Sequence, residues 1–209
     1  MKTLAIIGAG HLGQQIAHYA LVDRQYGTVV FFDDFTQEQE INGSKVLGKI
    51  ADVEASFQKG EFEELLIGIG YKHLKVRNEL FLKFSSVVPF GTFVHSSSWI
   101  DPTATVEKGC IIYPGSLVDA YSKIQHNTIL NIGCTISHDS TIGPNCFLSP
   151  RVAVAGFVNV GESCILGINS TIIDNVNIAS QTQLGGATVV IKSIEKSGLY
   201  VGNPAKFIR

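Results

Sequence analysis

The chain has 209 residues, room for one large or two small domains with a full apolar core. A formal net charge of −2 and a pI near 6.3 leave no basic excess, which argues against nucleic acid or an anionic membrane surface as a partner. No apolar run approaches the roughly eighteen residues of a membrane span, and Met1-Lys2 leads into a short strand instead of a secretion signal, so a cytoplasmic protein is expected.

In chain order, Lys2–Ile7 reads as a buried parallel strand, followed by Gly8-Ala9-Gly10-His11-Leu12-Gly13. A helix is predicted over Gln14–Val22, with Ile16, Ala17, Ala20 and Leu21 on one face. A second strand, Thr28–Phe32, ends in Asp33-Asp34, and a polar segment covers Thr36–Ser44. A helix around Ile50–Gln58, a strand over Glu64–Ile69, a helix over Lys72–Phe84 and a last strand at Ser86–Val88 complete an α/β pattern. Such alternation predicts a Rossmann-like parallel sheet over residues 1–90. Gly8-x-Gly10-x-x-Gly13 after a strand is a phosphate-binding pattern, with Asp33 placed to meet a ribose or base. The domain is too short for the two mononucleotide halves usual for NAD, so one nucleotide diphosphate suits it better; a purely structural turn is the remaining reading.

From Val94 to Val190 every sixth residue is Val, Ile or Leu, without an insertion. The residue four places after each is Ser, Ala, Cys, Thr or Val from Ser98 to Thr188. A period of six fits neither a helix nor continued strand alternation; it fits a hexapeptide parallel β-helix with three hexads per coil, over residues 91–191. Lys192–Arg209 is expected to pack on the last coils. Cys110, Cys134, Cys146 and Cys164 all occupy the small position of a hexad, and no C-x-x-C pair exists. They read as buried small hydrophobes in a reducing compartment, with no metal expected.

Taken together, Ile7-Gly8-Ala9-Gly10-His11, Phe32-Asp33-Asp34, Ile69-Gly70-Tyr71 with Arg77, the hexads, and Val201-Gly202-Asn203-Pro204-Ala205-Lys206 resemble one family across essentially the whole chain. It is the bacterial acetyltransferases of nucleotide-linked amino sugars, with their sialic acid O-acetyltransferase relatives. The resemblance implies a left-handed coil, acetyl-CoA as co-substrate and a homotrimer whose clefts lie between prisms. It implies nucleotide-sugar contacts from Gly10, His11, Asp33, Asp34, Gly70, Tyr71 and Arg77. It puts the general base at His138, in Ile136-Ser137-His138-Asp139-Ser140, with Asp139 orienting the imidazole and the Gly156 amide holding the thioester oxyanion. For CoA it points to Gly156, Gly167, Gly185 and Gly186 as close-approach turns, with Lys192 and Pro204 in the tail. Phe147 stands where some relatives carry a second histidine.

The residues alone leave bland readings open: His138 as an exposed turn histidine, Asp139 as a solvated turn acid, Gly156 as a tight corner. His126 also occupies a corner position, on another prism edge. Two other functions stay open as well, acyl transfer to a free acceptor such as sialic acid or an amino acid, and a non-enzymatic nucleotide-sugar-binding trimer.

Overall fold

A computed structural model describes all residues, Met1–Arg209, as two compact units, Met1–Phe93 and Val94–Arg209. In the first unit, three continuous apolar runs form the centre of the sheet: β1 (Thr3–Ile7), β2 (Thr28–Phe32) and β5 (Glu64–Ile67). They pair in parallel and are buried, as strands covered on both faces must be. Helices α1 (His11–Val22), α2 (Val53–Gln58) and α3 (Leu74–Phe84) accompany the sheet, and Val53, Phe62 and Phe84 join Ile7, Val30, Phe32 and Leu65 in one core.

Three local expectations need correction. The segment expected to be irregular contains a hairpin, β3 (Glu40–Ile41) and β4 (Ser44–Gly48), so the sheet order is β3-β4-β2-β1-β5 with only the β3–β4 pair antiparallel. Its two-residue turn is Asn42-Gly43, both at positive φ (50° and 81°), the backbone that an Asn-Gly pair supplies most cheaply. Helix α1 begins at His11, inside the Gly-rich motif. Ser86–Val88 is not a strand. The Val87 and Val88 amides still bond to Phe84 O at the end of α3, and only Phe90 bridges β5.

In the second unit the hexads form a left-handed parallel β-helix, as expected. Two-residue strands eighteen residues apart pair in parallel, for example Thr135-Ile136 with Leu117-Val118 below and Ala153-Val154 above. The inward aliphatics from Ile112 to Val190 are nearly inaccessible and form one continuous core with the four cysteines, which are free thiols. Each such side chain contributes about 1.5–3 kcal/mol by burial. The small position of a hexad can serve chemistry as well as size. In several hexads its side chain donates to a carbonyl fifteen residues on: Ser116 Oγ to Asn131 O (2.9 Å), Ser122 to Ser137 (2.8 Å), Thr128 to Gly143 (2.9 Å), Cys134 Sγ to Ser149 (3.3 Å), Ser140 to Ala155 (2.8 Å). These carbonyls sit just after each strand, where the sheet ladder no longer serves them.

The residue before the small position takes the left-handed conformation in turn after turn, at Tyr121, Asn127, Asp139, Asn145, Phe157, Asn169 and Asn175 among others. The tail adds Leu199–Val201, parallel to Gln183-Leu184, and Lys206-Phe207, antiparallel to that segment. Ile194 enters the core, while Tyr200 and Ala205 pack against it, closing the end of the prism.

Candidate active site

His138 projects from the turn that joins Thr135-Ile136 to Thr141-Ile142, and the backbone of that turn is tied to both neighbouring coils. Asp139 N–H donates to Ala120 O below (2.9 Å), and His138 O accepts Phe157 N–H from above (3.2 Å). Ser140 Oγ adds a further link, donating to Ala155 O and accepting Val158 N–H (3.1 Å). A corner held this way fixes the direction of the Cα–Cβ bond of His138.

The imidazole is set by three neighbours. Nδ1–H donates to Asp139 Oδ2 at 3.0 Å, which leaves Nε2 with the free lone pair. Asp139 itself sits at φ 56°, a conformation that Asp tolerates through its short polar side chain. The ring lies against Gly156, where a Cβ would meet Cε1 at 2.7 Å and Nε2 at 2.9 Å. The Phe157 ring contacts it edge-on, centroids 5.2 Å apart and planes at 85°. Both side chains are roughly half exposed (48% and 40%), so their hydrogen bond by itself is worth no more than about 1 kcal/mol; the aromatic contact adds about 0.5–1.5 kcal/mol.

Gly156 is buried, its carbonyl accepts Asn175 N–H (3.1 Å), and its own N–H has no acceptor in the chain. A buried, unengaged amide beside a half-exposed imidazole is the donor–base pairing that acyl transfer requires. The other corner histidine lacks it. His126 Nδ1 lies 3.2 Å from Glu107 Oε2, another imidazole–carboxylate pair, but the residue eighteen positions on is Pro144, which has no N–H.

In the first unit the Gly-rich loop leaves the end of β1 and opens α1. Gly8 has φ +97°, and a Cβ on Gly13 would fall 1.9 Å from Gly8 O, so these two glycines serve the turn and the helix–strand approach. A Cβ on Gly10 would meet nothing within 4 Å; its position faces open space. No side chain caps the N-terminus of α1 and no acid occupies its first turn, so the amide end of the helix is available to an anion. His11 is exposed at that end. Gly70 precedes the one-turn helix Tyr71–His73, with Tyr71 partly exposed at 43%.

Asp33 is already engaged within the chain. Oδ2 accepts Ala9 N–H (2.8 Å), and Oδ1 accepts the amides of Phe35 (2.8 Å) and Thr36 (3.0 Å), so both oxygens already hold the loop after β1 to the end of β2. Burial alone would raise its pKa; the three amides, with Lys49 nearby, outweigh that and hold it below the usual carboxylate range. Asp34 is exposed and accepts Ile50 N–H (2.9 Å). Arg77 is a clearer correction, since its side chain on α3 is fully buried and presents no guanidinium to a ligand in this conformation.

Two of the glycines expected to admit CoA serve the stacking of the coils. A Cβ on Gly167 would meet Gly185 C at 2.5 Å, and one on Gly185 would meet Val201 Cγ1 at 2.8 Å under the tail. Gly186 is exposed, near Ile168. Lys192 and Pro204 line one cavity of about 260 Å³ with Ile191, Ser193, Ile194, Tyr200 and Ala205. Phe147 is buried (7%). The residue that sequence reasoning missed is Phe157, at φ 58° and on the imidazole edge; the same turn position holds Tyr121, Arg151, Ser163, Gln181 and Ala187 elsewhere, so no distinct signal in the sequence marks it.

Residues 3–84 match the family described as the PglD N-terminal domain. No curated protein matches the chain. Among solved structures it is similar to the acetyltransferase domain of PglB from Neisseria gonorrhoeae, at 25% identity and TM-score 0.92 with all of both chains covered. The same domain in complex with acetyl coenzyme A matches at TM-score 0.91, with 99% of each chain covered. PerB from Caulobacter crescentus, in complex with CoA and GDP-perosamine, matches at 27% identity and TM-score 0.90, covering all of this chain and 98% of that one.

Proposed function

We propose that this chain, an acyltransferase of the hexapeptide-repeat family that acetylates nucleotide-linked sugars, moves an acetyl group from acetyl-CoA to the amine of a nucleotide-bound amino sugar, with His138 as general base. The observation that carries the reading is the His138–Asp139 hydrogen bond with the unengaged Gly156 amide one coil above it. Its chain-long likeness to PglB and PerB supports the same chemistry, and PerB adds guanine to the nucleobases to be considered beside uracil and thymine.

In the proposed reaction the sugar nucleotide sets its diphosphate at the amide end of α1, where Gly10 leaves space and His11 and Gly70 border the approach. The acceptor nitrogen attacks the thioester carbonyl carbon while Nε2 of His138 removes its proton; Asp139 steadies the imidazolium. The carbonyl oxygen gathers the negative charge and accepts the Gly156 N–H. Collapse breaks the C–S bond, the sulfur leaves as thiolate, and the proton on Nε2 returns to it. The residues Gly186, Lys192 and Pro204 remain the candidates for the CoA side.

The active unit in this reading is a homotrimer. The corner one strand before the histidine's carries Ile132, Pro150 and Ile168 in successive coils, with the two isoleucines 40% and 50% exposed, and the face between the two corners presents Trp99, Leu117, Thr135 and Ala153 without a charge. An edge that is apolar apart from the exposed Arg151 suits cyclic packing. The test is CoA release from acetyl-CoA by purified protein with UDP-, dTDP- and GDP-linked 4-amino sugars. Turnover with one of them that disappears in His138→Ala is expected; CoA release that needs no nucleotide would replace this reading with a free acceptor.

A further inference from the structure

Phe157 occupies a turn position whose backbone favours Asn or Gly over a bulky side chain. Its φ of 58° is the left-handed conformation, which a bulky L side chain adopts at a cost; other turns of this prism give it to Asn127, Asn145, Asn169 and Asn175, and also to Tyr121, Arg151, Ser163, Gln181 and Ala187, so it is the ring's contact that sets Phe157 apart. Its ring is 52% exposed, so burial does not offset that cost. What the conformation achieves is a contact: the left-handed turn directs the ring against the edge of the His138 imidazole, while the Phe157 amide bonds to His138 O. Asp139 holds the imidazole at one nitrogen through a half-exposed hydrogen bond, and Gly156 supports one face without blocking rotation away from it. Phe157 supplies the remaining constraint.

We propose that Phe157 is a positioning residue, an aromatic clamp that holds the His138 ring over Gly156 with Nε2 directed at the acceptor. The proposal rests on the acetyl-transfer reading for its consequence in turnover, though its structural content stands apart from it.

The test compares Phe157→Asn, Phe157→Leu and Phe157→Tyr in the full chain, reading melting temperature, kcat, the KM for acetyl-CoA and the imidazole NMR signals of His138. Phe157→Asn is expected to melt no lower than the parent, since Asn suits the turn. Its imidazole signals should average between orientations, and kcat should fall by about tenfold or more with KM within about twofold. Tyr should restore ring order and turnover, and Leu should not. Unchanged imidazole order in Phe157→Asn overturns the proposal, as does a loss of stability and turnover that Leu repairs as well as Tyr. Ring order that responds as expected in a protein with no acetyl transfer would retain the clamp and remove the acetyltransferase reading, so the two failures are told apart.

Discussion

The imidazole of His138 rests on the Cα of Gly156, eighteen residues and one coil later, so closely that a Cβ there would stand 2.7 Å from Cε1 and 2.9 Å from Nε2. The stacking of hexads thus places an imidazole and a backbone N–H side by side. Gly156→Ala keeps the N–H and, because Gly156 has no positive φ, adopts the backbone without strain. The imidazole, as the end of a flexible side chain, is what moves. The expected outcome is a melting temperature within a few degrees of the parent and kcat lower by about a hundredfold, the usual consequence of misplacing a catalytic group by about 1 Å; steady-state kinetics beside a thermal melt checks both.

His138→Ala should lower kcat by at least about a hundredfold with little effect on folding, since the ring is half exposed. Asp139→Asn preserves the turn, because Asn also tolerates its φ of 56°, and removes the charge that stabilises the imidazolium. A smaller fall, about tenfold, is expected there. Equal losses in the two variants would mean that the carboxylate does more than orient the ring.

Asp33→Asn tests the junction of β1 and β2. The carboxylate accepts three amides and the replacement cannot accept on both sides, so stability should fall by about 1–3 kcal/mol at neutral pH. The folded-state pKa of Asp33 is lowered, so its contribution is complete above the unfolded value near ~3.9 and is lost as pH falls through the folded value. Denaturant titrations of both proteins should therefore converge in acid and separate at neutrality. A difference that grew toward low pH would contradict the assigned interactions.

The thiols should be silent in the native protein. All four cysteines are fully buried, and burial pushes the Cys134 thiol up to about 12. A thiol reagent at pH 8 is expected to label none of them until denaturant is added, and then all of them.

Ile168→Glu places a charge on the exposed apolar corner without disturbing the core of the coil. If that corner is where copies meet, sedimentation should show a smaller species and acetyl transfer should be lost while the single-chain fold persists. A parent protein that sediments as one chain, yet turns over, would remove the trimer from the mechanism.

Much of this was legible in the residues. The aliphatic every sixth position determined the prism, because only a side chain repeated in that register can line three stacked walls, and uninterrupted runs such as Leu4–Ile7 determined a sheet covered on both faces. The Asn42-Gly43 hairpin was equally readable, since that pair specifies a two-residue turn, although the polar surroundings concealed it. What the tertiary structure decided are contacts between positions far apart in sequence. It made Asp33 the acceptor for Ala9 and the loop after it, buried Arg77, and gave Gly167 to the packing of coils and Gly185 to the packing of the tail. It also set Phe157 against His138, at an interval of nineteen residues that follows from coil length plus one. A linear pattern records which face a residue occupies. The partner across the next coil depends on the rise and turn of the backbone, and that is where Gly156 acquires a neighbour that no substituent on its Cα would allow.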